Sequence, residues 1–259
     1  MKTLLKISLL VVVGATLTLS QAQAGFIETF ESGYTDGALL SADANWVAGL
    51  AQDFTGSDQF RTVNGMGHNG SGGDGGFGAY NGSGVISGGP GRAHGESTTP
   101  GSTLIAEFDY KPTVEEARFG FVNLAGSYVG VILVNSGVGG RFQSGGGAEP
   151  SFVVDSGTFN IVSGDWHKVT FSHEVDGPNT ATTVDVLNYS TGLMYSVHPS
   201  VAIFPNTGNL HSFAIAGTDP GGTQIDNITV SGVVPEPTSA ILLALGLLTL
   251  LGSGRRSNR

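Results

Sequence analysis

The sequence predicts an all-β sandwich, and three observations carry that prediction. No stretch between residues 25 and 232 shows the 3.6-residue apolar period of a helix. Short alternating segments recur instead, each bounded by Gly, Pro, Asn or Asp. The span from Gly25 to Val233, about 209 residues, suits one domain that stabilises itself by burying a single core.

Taken in order, the elements read as follows. Leu104, Ala106, Phe108 and Tyr110 alternate with Ile105, Glu107, Asp109 and Lys111, so one strand face is apolar and the other mostly charged. Ala117 to Leu124 and Tyr128 to Val134 are apolar on both faces, the pattern of central strands covered on both sides. Trp166–His173, Thr183–Leu187, Leu193–Val197, Leu210–Ala216 and Gln224–Val230 follow as further strands. Between residues 64 and 91, 13 of 28 positions are glycine, so this segment has few apolar contacts to offset its ordering entropy. It reads as a long surface loop, with a second reading as a loop that faces a ligand. Tyr80, inside it, is the candidate contact residue, whereas Trp166 reads as core from its place in a strand.

The two ends differ from the domain between them. Lys2 and Lys6 precede an apolar stretch, Ile7 to Leu19, and Ala22-Gln23-Ala24 supplies a small-x-small cleavage site. Residues 1–24 therefore read as a signal peptide handled by signal peptidase. At the other end, Val234-Pro235-Glu236-Pro237-Thr238-Ser239 leads into an uncharged run, Ala240 to Leu251, and then Arg255 and Arg256. The run has 12 residues, about 18 Å of helix, well short of a ~30 Å hydrocarbon core. The prolines separate it from the domain, and the arginines mark a cytoplasmic end.

Residues 233–259 resemble the PEP-CTERM sorting signal of Gram-negative bacteria that make exopolysaccharide. That resemblance implies a single C-terminal transmembrane helix over 240–251, recognition and cleavage near Pro235-Glu236-Pro237 by the membrane transpeptidase exosortase, and passage of the domain to the cell surface or beyond. It implies nothing about what the domain does there.

Charge and cysteine usage exclude several classes. Between Gly25 and Val233, six basic residues stand against 20 acidic ones, a net charge of −14. Such a surface does not track phosphate backbones, so nucleic acid is excluded as a partner. The absence of cysteine excludes thiol nucleophiles and thiolate metal sites. The Asn-x-Ser/Thr triplets at Asn69, Asn81, Asn188 and Asn227 read as products of a composition rich in those residues.

Three further segments carry a second resemblance. Phe26 to Gly33, Gly164 to Phe171 and Gln224 to Val230 resemble the opening, central and closing strands of concanavalin A-like and laminin-G-type jelly rolls. The resemblance implies that first and last strands lie side by side, and that a structural calcium is held near them. Glu31 and Asp226 are the matching acids, with Asp36 or Asp53 as helpers. Calcium is the one expected cofactor, since hard oxygen ligands suit it.

Glu107 and Asp109 share a strand face, as the acids of laminarinase-type glycosidases do, but Lys111 stands where a third carboxylate is needed. We therefore assign no catalytic residue. Gly65-x-Gly67-x-x-Gly70 matches a dinucleotide fingerprint by letter but lacks the helix that must follow. His167 and His173 share the face of Val169 and Phe171, and no zinc or serine-hydrolase motif occurs. The leading expectation is an exported, non-catalytic surface or matrix protein that binds exopolysaccharide. The alternatives are a polysaccharide-degrading enzyme on the same fold and a purely structural matrix component.

Overall fold

A computed structural model of the chain describes residues 23–30, 35–48, 60–63, 77–80, 90–112, 116–122, 128–134, 140–145, 150–153, 161–177, 182–198, 210–217 and 224–233. The sorting motif, the apolar run 240–251 and residues 1–22 lie outside the described residues. Among those described, no helix is long and apolar enough to cross a membrane. Gln23–Gly232 form one compact unit.

Among the described residues, fifteen strands make two antiparallel sheets. The first holds β1 (Gln23–Glu28), β3 (Phe60–Val63), β4 (Phe77–Tyr80), β6 (Thr103–Lys111), β11 (His167–Glu174), β12 (Thr182–Asn188), β13 (Met194–Val197) and β15 (Gln224–Val233). Its order is β13-β12-β11-β6-β15-β4-β3, and β1 pairs with the far end of β15. The second sheet runs β10-β9-β8-β7-β14-β5-β2, from β10 (Pro150–Val153), β9 (Gly140–Gly145), β8 (Tyr128–Val134), β7 (Glu116–Val122), β14 (Ser212–Gly217), β5 (Pro90–Ala93) and β2 (Val47–Ala48). First and last strands thus lie side by side, as the jelly-roll resemblance implied.

The period-two reading of β6 decides where the core sits. Leu104, Ala106, Phe108 and Tyr110 are all buried and face the second sheet. Phe108 meets Phe119 at 4.3 Å between ring centroids and Phe213 at 5.8 Å. Phe121 stacks on Phe171 at 5.5 Å, so each sheet supplies rings to the other. Aromatic pairs of this kind stabilise by about 0.5–1.5 kcal/mol each beyond the area they bury. Strands β7 and β8 approach unusually closely at Gly120 and Gly130, which are paired in register. A Cβ on Gly120 would lie 2.5 Å from the Val129 carbonyl oxygen, so only glycine fits there.

Two readings need correction. The glycine-rich segment 64–91 is not one loop, because it contains β4 and the first two residues of β5. Gly78 pairs with both Thr62 and Ile225, and that ladder on two sides overrides the poor strand propensity of glycine. Trp166 is not core. His167, Val169, Phe171 and His173 face inward, and a period of two then sends Trp166 outward, where it is half-buried. The core tryptophan is Trp46, packed against Phe26 and Phe30.

Three buried histidines line this interior. His94 uses both ring nitrogens, accepting from the Glu96 N–H at Nδ1 and donating from Nε2 to the Leu210 carbonyl. Burial pushes His94 and His173 down from 6.5 to about 4, and it lowers His167 as well. The unfolded chain therefore binds more protons than the folded one between pH 6.5 and about 4. Stability is fully present above the upper bound and falls as pH drops through the lower one. A pair of equilibrium urea series at the two bounds should show the loss, on the order of 3 kcal/mol each for His94 and His173, and His173→Gln should remove about half of it. In the core, Phe108→Ala should cost about 3–5 kcal/mol in the same assay at neutral pH.

Candidate functional site

The outward parity of β6, β11 and β12 builds a grid of polar and charged side chains. The registers place Leu187, Lys168 and Asp109 in one row, and Asp185, Thr170 and Glu107 in the next. One step the other way, Tyr189 donates its N–H to the Trp166 carbonyl, and the Lys111 ammonium lies 5.7 Å from the Trp166 ring centre. Met194, paired with Leu187, extends this face beyond β12 and is well exposed.

Tyr189 gives the face its shape. Its hydroxyl donates to Asp109 Oδ1 at 2.7 Å, although β11 lies between their strands. Adjacent strands are ~4.8 Å apart, so the tyrosine must cross about 10 Å of sheet. It does so only by lying along the sheet, and 39% of its surface still faces solvent. Burial of the phenol, the hydrogen bond to Asp109 and the nearby Glu107 carboxylate all push its ionisation well above the ordinary tyrosine value of 10.

Asp109 is only 6% exposed, and its other oxygen accepts from Asn227 Nδ2 at 2.8 Å. Asn227 adopts a left-handed φ of 50°, and the in–out alternation of β15 slips there, so Ile225 and Asp226 are both buried. That phase shift leaves Asn227 on the outer face beside Asp109. Asn188 supports the other end. Its Oδ1 accepts the N–H groups of Ser190 and Thr191, and its Nδ2 lies within hydrogen-bonding distance of Asp165 Oδ2 and His167 Nε2. The turn that carries Tyr189 is thereby fixed. Asn188 is buried, so its triplet with Tyr189 and Ser190 is no acceptor for a glycan in the folded protein.

The carboxylates of this face are engaged rather than poised. Glu107 accepts from Lys168 at 2.9 Å and from Thr170 Oγ1 at 3.3 Å, and Asp185 accepts from Ser196 Oγ. Among the expected calcium ligands, Asp226 is fully buried and accepts the Asn227 N–H at 2.7 Å, while Asp36 is exposed. Glu31 and Asp53 lie outside the described residues. Among the described residues, no group of three His, Cys, Asp or Glu is placed to hold a metal. The described part of the expected calcium site thus supplies one buried carboxylate, too few for calcium on its own. Tyr80 lies on β4 opposite Phe60, far in strand order from the Tyr189 face. Sequence reasoning missed Tyr189, Asn188, Asn227 and Lys168. The parity that places His167 and Val169 inward would have found Trp166 and Lys168, and nothing local announces the reach of Tyr189 across a strand.

Sequence comparison finds no matching protein family and no matching curated protein. Comparison of structures finds similarity to winged bean acidic lectin complexed with methyl-α-D-galactose, at 11% identity and a TM-score of 0.44, over 83% of this chain and 100% of that one. A carbohydrate-binding module from Bacillus subtilis is similar at 9% identity and a TM-score of 0.42, over 78% and 99%. A galectin from Caenorhabditis elegans is similar at 11% identity and a TM-score of 0.34, over 54% and 89%.

Two measurements check the geometry of the face. In alkaline difference spectra, Tyr189→Phe should remove a late-ionising tyrosine phase. Asn188→Ala should cost about 1–3 kcal/mol in urea unfolding, because it leaves Asp165 and two backbone N–H groups without their partner.

Proposed function

We propose that the chain is an exported, non-catalytic protein of the cell surface or extracellular matrix, and that the outer face of its first sheet binds polysaccharide. The carrying observation is the pair Trp166 and Tyr189, side by side just beyond the adjoining ends of β11 and β12, with the tyrosine drawn along the sheet by Asp109. Flat rings held along a sheet stack on pyranose faces, and Lys111, Lys168 and Asn227 beside them supply hydrogen-bond donors. Four carboxylates, Glu107, Asp109, Asp165 and Asp185, outnumber the two lysines, which favours an uncharged polymer over a uronate.

The engaged state of Glu107, Asp109 and Asp185 speaks against hydrolysis, which requires one carboxylic acid and one available carboxylate across the bond. The antiparallel pairing of β1 with β15 supports a jelly roll of concanavalin type. We infer export and sorting from the tail: signal peptidase removes the N-terminal segment, and exosortase acts at Pro235-Glu236-Pro237 while the apolar run holds the chain in the membrane. Calcium bound near Asp226 would brace β15 against β1, and no step of binding depends on it.

Affinity electrophoresis of residues 25–233 in the producing cell's own exopolysaccharide tests the reading. Wild type should be retarded with or without chelator, and Trp166→Ala and Tyr189→Ala should each weaken retardation about 3- to 10-fold, the equivalent of about 0.5–1.5 kcal/mol. Unretarded wild type would sink the proposal for that polymer.

A further inference from the structure

We propose a second saccharide-binding site, in the half-open cleft of about 550 Å³ where β1, the turn before β2, β5 and the start of β14 meet. Its volume falls within the range of small-molecule sites, about 300–1,000 Å³. Phe26 and Val47 give it apolar surface, and Val47 is 53% exposed. Arg92, Asn45 and His211 form its polar side.

Each of these three is built into place by other contacts. Arg92 donates through Nη1 to Glu28 Oε2 at 2.7 Å, and its guanidinium carbon sits 4.5 Å from the Phe26 ring centre. That leaves its remaining N–H groups without a partner among the described residues. Glu28 is fixed in turn, since its other oxygen accepts the Phe30 N–H. The Asn45 N–H donates to Asp43 Oδ1, which fixes the turn and leaves the Asn45 amide unengaged among the described residues. His211 is tied to Ser212 through Nδ1 and its Nε2 is buried out of reach, so Arg92 and Asn45 are the groups a ligand meets. A cleft with this many unspent polar groups around apolar surface is matched by a ligand that carries many hydroxyls on a partly apolar ring.

The charge balance selects among polar ligands. The carboxylate of Glu28 already pairs with the Arg92 cation, so the cleft offers directional donors without a net positive charge from that pair. It therefore takes a neutral sugar residue and not a phosphate or a uronate. The lining comes from β1, β2, β5 and β14, and β2, β5 and β14 belong to the second sheet, whereas Trp166 and Tyr189 project from the first. With both sites filled, one molecule grips two polymer segments. That bridging role rests on the sheet-face reading above, while the cleft site stands without it.

Saturation-transfer NMR on the full-length protein in mild detergent separates the two. The probes are methyl glycosides of glucose, galactose and N-acetylglucosamine, with glucuronate and inorganic phosphate as anionic controls. Ala93→Trp fills the cleft from an exposed position of β5, and Asn45→Ala removes one donor without touching the Glu28–Arg92 pair. At least one neutral glycoside should show transfer that survives in the Trp166→Ala/Tyr189→Ala double variant, falls at least tenfold in Ala93→Trp and weakens several-fold in Asn45→Ala. Transfer that persists in Ala93→Trp, that vanishes in the double variant, or that appears only with glucuronate or phosphate would overturn the cleft site. So would silence from all three glycosides. None of these results bears on polymer retardation by the sheet face, which electrophoresis reads separately.

Discussion

The packing of phenylalanine rings across the gap between the two sheets is the constraint on which the rest depends. Phe108 on β6 reaches Phe119 and Phe213 on the facing sheet, and Phe171 on β11 reaches Phe121. With these rings committed inward, the parity of β6 and β11 is fixed, and every second residue must face out. A register slip of one residue would expose Phe108 and bury Lys111. The outer face is therefore the other half of the same alternation that makes the core. Asp109 lies between the buried Phe108 and Tyr110 in sequence, and its partners Tyr189 and Asn227 are chosen by sheet order alone.

A second constraint acts at the margin of the sandwich. Glu28 and Arg92 join a strand of one sheet to a strand of the other, and the pair is mostly shielded from water. Breaking a pair of this kind leaves a partly buried charge without its partner, which costs more than the pair contributes when whole. The arrangement holds β1 against β5 and frames the cleft lined by Phe26, Arg92 and Ala93.

Much of this was legible in the sequence, because alternation is local. Leu104 to Lys111, Tyr128 to Val134 and Gln224 to Val230 each carry their strand signal in consecutive residues, and the structure has strands there. What stayed hidden is set at long range. Phe77 to Tyr80 is a strand because Phe60 to Val63 and the start of β15 pair with it, and its own glycine and alanine give no sign of that. Trp166 was misread because a tryptophan in one segment with Val169 and Phe171 looks like core, although residues three and five positions apart in a strand face opposite ways. The link from Tyr189 to Asp109 spans 80 positions and crosses a strand, so no window of sequence contains it.

The position of β15 sets the order in which the molecule can assemble. It lies between β6 on one side and β4 and β1 on the other, so the last of the described strands fills the middle of its sheet. Until residues 224–233 have emerged, β6 and β1 each lack the neighbour that satisfies their backbone groups. The first sheet thus lacks its middle strand through nearly the whole synthesis of residues 23–233. Closure comes last and at long range, and a topology of that kind folds slowly. The unpaired edges remain open to wrong partners until it does.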